Sequence, residues 1–374
     1  MSEAATHEVV IVGAGIAGCS LAYFLAQGGL GDVLLLERES SLAVHSTGRS
    51  AATLSRIDSI ETLEQILIAS APFLQSPPEG FCDHPVLRQV GALNLFPEEE
   101  WDEARGRIPE LNAAGLRCRA LSVEACVEAV PVLDPDAFAG GILVPEDGRI
   151  DVHELLSSYL RGARAAGAKV QLEAEVQSMI TEGGACRGVV VNGEEIRARV
   201  VVDAAGAWSA PIASLAQASP IPLRPHRRTI VTFPWPAHDP SNWPFLVSEA
   251  HELYFAAEGS DMLLSPMDEE EMPPCDPAPD ETVIASGLAR LGELAPTMVP
   301  RTLHRRWSGL RTFSPDRVHV VGPDPIREGF FWLAGQGGIG IESSPLIGAV
   351  AADLILQGRT DRFDEGKLSP ARFG

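Results

Sequence analysis

Val9-Val10-Ile11-Val12-Gly13-Ala14-Gly15-Ile16-Ala17-Gly18 decides how this chain folds. Four apolar, β-branched residues in a row read as a parallel strand covered on both faces. A glycine turn follows at once. Residues 16–27 then hold no helix breaker except Gly18, and Leu21, Ala22, Phe24 and Leu25 give them a helical apolar set. Gly28, Gly29 and Gly31 end that helix. A second apolar run, Val33-Leu34-Leu35-Leu36, stops at Glu37.

The order is strand, glycine turn, helix, strand, acid, and each part has a physical task. Gly13 permits the tight turn, Gly15 lets backbone approach a pyrophosphate, and Gly18 lets the helix pack closely on the strand. The helix start offers free N–H groups and partial positive charge to phosphates. Glu37 can accept hydrogen bonds from a ribose diol. The motif predicts a dinucleotide site and by itself does not separate FAD from NAD.

Outside this unit the numbers are those of a large globular chain. It has 374 residues, 45% of them hydrophobic and 21% charged, with 35 Gly and 29 Pro. Asp and Glu number 51 against 29 Lys and Arg, a formal charge of -22. That acidity argues against a nucleic-acid partner, which calls for a basic face. No apolar run reaches the ~18 residues that a membrane span needs. The start, MSEAATHEVV, has no basic region leading into an apolar stretch, so no secretory leader is expected. Six cysteines without a C-x-x-C pair suggest a reducing compartment, and the cytoplasm is the expected location. No metal site is expected.

Three later segments echo the first. Residues 196–208 read as a strand entering a small-residue turn, Ala204-Ala205-Gly206-Ala207-Trp208. Residues 317–322 form another short strand ending at Gly322. Residues 329–341 are a strand followed by Gly335-Gln336-Gly337-Gly338-Ile339-Gly340-Ile341, and a helix is predicted over about 345–357. Amides of such a turn can face an electron-rich carbonyl, and a reduced flavin carries negative charge at N1 and O2. Taken alone, 335–340 would be a helix-capping loop. Paired with the amino-terminal motif it points to a flavin, whereas a nicotinamide would leave it unexplained.

At this point the chain resembles the FAD-dependent D-amino-acid oxidase superfamily, and within it the bacterial D-arginine dehydrogenase type. The likeness is carried by residues 13–18, Glu37-Arg38, His45-Ser-Thr-Gly-Arg-Ser-Ala-Ala52, Gly80-Phe-Cys-Asp-His-Pro85, Trp307-Ser-Gly-Leu-Arg-Thr-Phe313 and residues 329–341. It implies an α/β (α+β overall) fold: a Rossmann-like, glutathione-reductase-like FAD-binding domain and a substrate domain on a large, mostly antiparallel sheet. The expected borders are 1–84, 140–210 and 315–374 for the first domain and 85–139 and 211–314 for the second. The run 267–277, rich in Asp, Glu and Pro, reads as a surface loop.

The resemblance also implies a site. Noncovalent FAD would be held by Gly13, Gly15, Ile16, Ala17, Gly18, Glu37 and Arg38, and by Ser46, Thr47, Arg49, Ser50, Ala51 and Ala52 beside the flavin ring. Val176, Ala205, Gly206, Trp208 and Gly309 would join them, with Gly335, Gly337, Gly338, Ile339, Gly340 and Ile341 from the second turn. Arg49 has two readings, support for the cofactor or a structural ion pair. Arg311 matches the arginine that grips a substrate carboxylate, and Arg228 the second such arginine, with Arg227 open by a one-residue shift. A planar guanidinium suits that task. Tyr254 matches a tyrosine that closes the pocket, and Thr53 stands where it could orient the amine.

Three positions depart from the D-arginine pattern: Thr53 for a histidine, Asp58 for a tyrosine, and Ala92 for the acid that grips the cationic end of the substrate. The expected function is FAD-dependent oxidation of the Cα–N bond of an amino acid with a free carboxylate, a D-amino acid first, by hydride transfer to flavin N5. The alternatives are a secondary-amine or glycine oxidase, a 2-hydroxy-acid oxidoreductase, and a non-catalytic flavin protein. Lysine occurs only at 169 and 367 and no cysteine lies between 276 and 374, which favours a dehydrogenase with untethered FAD. The sequence assigns no electron acceptor.

Overall fold

Ala5–Val12 lies inside an eight-stranded sheet, paired in parallel with Val33–Leu36 on one side and Glu194–Asp203 on the other. The computed structural model describes residues 5–235, 237 and 239–374; residues 1–4 of the leader expectation lie outside them. Lys169–Gln171 continues the parallel set beyond Val33–Leu36, and Phe330–Ala334 continues it beyond Glu194–Asp203. Val9 and Ile11 enter one apolar cluster, Val10 and Val12 the other. This is why the strand carries no polar alternation: both faces are covered. On the first face the helices Ile16–Gln27, Val152–Ala165 and Ser344–Gln357 pack together. Gly348 makes one of these contacts possible, since a β-carbon there would stand 2.8 Å from Ser20 Oγ.

The second sheet has nine strands and is antiparallel except where Phe245–Ser248 meets Ala92–Phe96. Its longest strand, Arg224–Pro234, pairs with Arg305–Phe313 along nearly its whole length. A small third sheet joins Thr53–Leu54 and Leu87–Gln89 to the two sides of Gly148–Ile150. Among the described residues no helix is long and apolar enough to cross a membrane. All six cysteines are free, and Cys19, Cys118, Cys126 and Cys186 are buried.

Two expectations need correction. The border at 140 is too early, because Gly140–Val144 pairs with Ala92–Phe96 in the nine-stranded sheet. The strands of the two sheets have the same apolar look, and composition does not say which partner each takes. The 267–277 run is not simply a surface loop. Asp268 keeps only 8% of its side chain exposed, accepting from the Thr229 amide at 2.6 Å and from Arg227 Nε at 3.2 Å, and Glu270–Glu271 pairs with the Arg224–Pro234 strand. Those carboxylates have arginine partners that lie far away in sequence.

Candidate functional site

A cleft runs across the carboxyl ends of the parallel strands, walled on one side by Val12–Ala17, Leu36–Arg38 and Ala204–Trp208. The other wall is Arg228, Ile230, residues 309–312 and, from the second glycine turn, Gln336, Gly337, Gly338, Gly340 and Ile341. At its nucleotide end Gly13 has φ +105°, and a β-carbon there would stand 2.4 Å from the Ala204 carbonyl oxygen. Gly18 lies beneath, its would-be β-carbon 2.1 Å from the Gly13 carbonyl oxygen, so its part is packing and not lining. The helix Ile16–Gln27 begins at Gly15, which has no side chain to cap it, and Thr47 Oγ1 accepts from the Ile16 amide at 3.1 Å. Glu37 closes this end. Its two carboxylate oxygens accept from the amides of Ala14 at 3.2 Å and Glu39 at 3.1 Å. Farther along, the Arg38 guanidinium covers the Trp208 ring at 3.7 Å, and His45 packs against Trp208 at 4.6 Å. Val176 lines the same stretch.

The segment 46–52 is stitched to the nine-stranded sheet. Ser46 Oγ donates to the Leu310 carbonyl at 2.6 Å, and Trp307 Nε1 donates to the Arg49 carbonyl at 3.2 Å. Arg49 donates to the carbonyls of Val44 at 2.9 Å and Ser308 at 3.0 Å and pairs with Asp276. It therefore has the structural ion pair, and it lines the cleft as well. Gly309 lies under Arg49, with 3.2 Å between its would-be β-carbon and Arg49 Cβ. Ala52 leaves the segment at φ +56°, outside the cleft lining. The second glycine turn is anchored by the Gly337 amide donating to the Thr312 carbonyl at 2.9 Å. Gly338, Gly340 and Ile341 line the cleft, whereas Gly335 and Ile339 stand behind it.

Two guanidiniums meet beyond the turn. Arg311 donates to the Tyr254 hydroxyl at 3.2 Å and has no carboxylate partner among the described residues. Arg228 is buried; Nε donates to the Asp268 carbonyl at 2.9 Å and Nη2 to Glu269 at 2.8 Å, while Nη1 is buried with no partner. Burial, then the charge of Arg311, lowers the Arg228 pKa to about 10, so Arg228 stays cationic at neutral pH. The one-residue alternative separates cleanly. Arg227 pairs with Asp268, Glu270 and Asp280 and does not line the cleft. Adjacent strand residues point to opposite faces.

Thr53 and Tyr254 do not line the cleft; Tyr254 reaches it through Arg311. Thr53 is half-buried on the short strand that continues the 46–52 segment, and its hydroxyl makes no hydrogen bond among the described residues. Asp58 accepts from the Ile60 amide at 2.8 Å, and burial raises its pKa. Ala92 is buried in an apolar cluster with Tyr254, Phe245 and Ile230. Sequence reasoning passed over Gln336, which lines the cleft between two assigned glycines, and His45, which heads the quoted 45–52 stretch. It also missed Glu269, for which the acidic run gave no local signal.

These fittings suit FAD. A helix start at a glycine and a tight glycine turn would suit phosphates, a fixed carboxylate would suit a ribose, and a second glycine turn beside a buried guanidinium with one free N–H would suit a group that gains negative charge. The family model for FAD dependent oxidoreductases, DAO, matches residues 8–354. Mitochondrial dimethylglycine dehydrogenase of Rattus norvegicus is 27% identical over 98% of this chain and 45% of its own length. The chain thus spans less than half of that relative. L-proline dehydrogenase from P. horikoshii superposes with a TM-score of 0.88 at 23% identity, covering 99% of this chain and 98% of that one. Glycine oxidase from Geobacillus kaustophilus gives 0.84 at 23% identity over 98% of each. These two likenesses show the fold, while the family match extends over nearly the whole sequence. With the cleft built as the motif requires, the cofactor is FAD, and the chain belongs to the DAO family of FAD-dependent oxidoreductases.

Proposed function

We propose that this chain oxidises the Cα–N bond of an amino acid, primary or N-substituted, whose free carboxylate is held by Arg311 and Arg228. The observation that carries this reading is the pair itself. One guanidinium has only a tyrosine hydroxyl, and the other keeps a buried N–H with no acceptor. A carboxylate between them would satisfy both, through charge-assisted bonds of the stronger kind. Noncovalent FAD would be held by the cleft residues from Gly13 to Ile341 and supplies the hydride acceptor. The two cations also disfavour an ammonium beside them, so the substrate amine is neutral when its α-carbon gives up hydride. The imino acid formed is then hydrolysed by water. No strong general base is needed, because positioning and electrostatics supply most of the effect.

A cationic side chain such as that of D-arginine is disfavoured, because position 92 offers a buried methyl and no carboxylate. Lys367 bonds Gln65 and Lys169 sits on an edge strand, so neither is available beside the flavin, which supports a dehydrogenase. The relatives named above act, by their names, on glycine, dimethylglycine and proline, which supports including secondary and tertiary amines.

The test is anaerobic mixing of the yellow protein with D- and L-amino acids, glycine, N-methylated glycines and proline. At least one should bleach the flavin. Arg311→Met should lower kcat/KM by roughly 2–5 kcal/mol while FAD stays bound. If no candidate bleaches the flavin, or if Arg311→Met behaves as wild type, the reading is wrong.

A further inference from the structure

The strand that carries Tyr254 also carries the acidic partner of a third arginine. Arg311 donates to the Tyr254 hydroxyl at 3.2 Å, and Arg149 pairs with Glu258 on that same strand. Arg149 belongs to Gly148–Ile150, the middle strand of the small sheet, and its register sets it directly opposite Thr53 on one side and Arg88 on the other. Residues opposite one another in antiparallel strands share a face. Arg149 therefore stands beside the first residue after the 46–52 segment. Arg88 leans away, donating to the Ser241 carbonyl at 2.7 Å.

The hydrogen bonding of Arg149 is half complete. Nη2 pairs with Glu258, while Nη1 is buried and has no acceptor. Glu258 is four residues beyond Tyr254 on the same strand, so the two share a face with Ala256 between them. Ala51, Ala92 and Ala256 belong to one buried cluster with Tyr254, and each contributes only a methyl. A buried N–H without an acceptor is costly unless a partner arrives.

We propose that Arg149 is a second anion-binding residue of the substrate pocket, and that the substrate is an amino acid bearing a second carboxylate. One carboxylate is held by Arg311 and Arg228, and the other accepts from Arg149 Nη1. This rests on the carboxylate reading above. The second acid group has two possible sources, an acidic side chain or an N-carboxyalkyl group on the amine. Thr53, between the two ends, then lies beside the chain that joins the carboxylates.

The test uses the FAD-loaded protein and non-oxidisable acids, with perturbation of the flavin absorption spectrum as the readout of binding. Glutarate should bind about tenfold more tightly than butyrate, the gain expected of one charge-assisted contact. Arg149→Met should bring the ratio of the two affinities near one, and Arg149→Lys should keep part of it. Should Arg149→Met fold poorly, Glu258→Gln serves instead: it leaves Arg149 charged and frees Nη2, so the ratio should rise. Turnover then separates the sources, with aspartate and glutamate of both hands in one arm and iminodiacetate in the other. Equal affinity of wild type for glutarate and butyrate, or a ratio unmoved by Arg149→Met, overturns the proposal. If butyrate binds in an Arg311-dependent way, only the second contact has then failed. If neither acid perturbs the flavin, the Arg311 and Arg228 reading fails, and this one with it.

Discussion

The Arg311 guanidinium lies against the backbone of Gly338, where a β-carbon would stand 2.8 Å from Nη1 and 3.0 Å from Cζ. The second glycine turn therefore supports Arg311, the proposed carboxylate ligand, as well as lining the cleft. Gly338 has no positive φ, so the glycine answers to space and not to backbone freedom.

Gly338→Ala should push the guanidinium off that surface by a few tenths of an ångström. FAD content should hold while KM for the carboxylate substrate rises several-fold, because a displaced fork loses bidentate alignment. Steady-state kinetics and the flavin-to-protein absorbance ratio decide it. Loss of FAD with unchanged KM would assign Gly338 to the cofactor alone.

Gly13→Ala should be far more damaging. The new methyl meets backbone, the Ala204 carbonyl at 2.4 Å, and φ is +105°. Neither obstacle can move without opening the turn between the two central strands. The variant should be isolated largely without FAD and melt at lower temperature. Gly29→Ala is the control, since it has φ +89° but nothing within 4 Å, and should cost only about 1 kcal/mol.

What was legible in the sequence follows from the range of the interactions involved. The strand, turn, helix and Glu37 lie within one local unit, so periodicity and glycine spacing described it. The choice between Arg228 and Arg227 needed only strand alternation, once the strand's facing partner was known. Asp268 and Glu269 were hidden because a carboxylate run reads as solvated unless its cations are seen, and Arg227, Arg228 and Arg317 come from elsewhere in the chain. The domain border at 140 was drawn too early for the same reason: the partner of Gly140–Val144, Ala92–Phe96, is set by tertiary pairing. Arg149 carried no signal at all, since its place beside Thr53 exists only through the register of the small sheet.

Glu269 holds Arg228, the second of the proposed carboxylate ligands. It accepts from Arg228 Nη2 at 2.8 Å and from Arg317 Nη2 at 2.9 Å, and those partners hold its carboxyl below its usual range although burial pulls the other way. Glu269→Gln should lower the stability of the ligand-free protein, because a buried guanidinium loses its counter-charge. It should also tighten carboxylate binding several-fold, because Arg228 then has more to gain from the ligand. Thermal denaturation with and without butyrate shows both effects. A ligand-induced rise in Tm no larger than that of wild type would mean that Glu269 does not restrain Arg228.

His319 should give the fold a measurable acid sensitivity. It is completely buried, Nε2 lies 2.9 Å from Ser343 Oγ, and Nδ1 has no partner. Burial first, and then Arg372, bring its pKa down from 6.5 to about 3. A depressed pKa contributes stability that is present above 6.5 and is lost as pH falls toward 3, where the unfolded chain takes a proton that the folded one refuses. Two buried carboxyls act in the opposite sense. Burial raises Asp203 to about 7 and Asp147 to about 6, so their charge penalty is relieved as pH falls through those values. The net curve mixes the three, and a difference measurement isolates one of them. Urea unfolding of wild type and His319→Asn from pH 7 to pH 3 should give a stability difference that shrinks steadily below 6.5, by an amount on the order of several kcal/mol in total. A difference that stays constant across that range would mean that the imidazole takes up its proton in the folded protein as readily as in the unfolded chain.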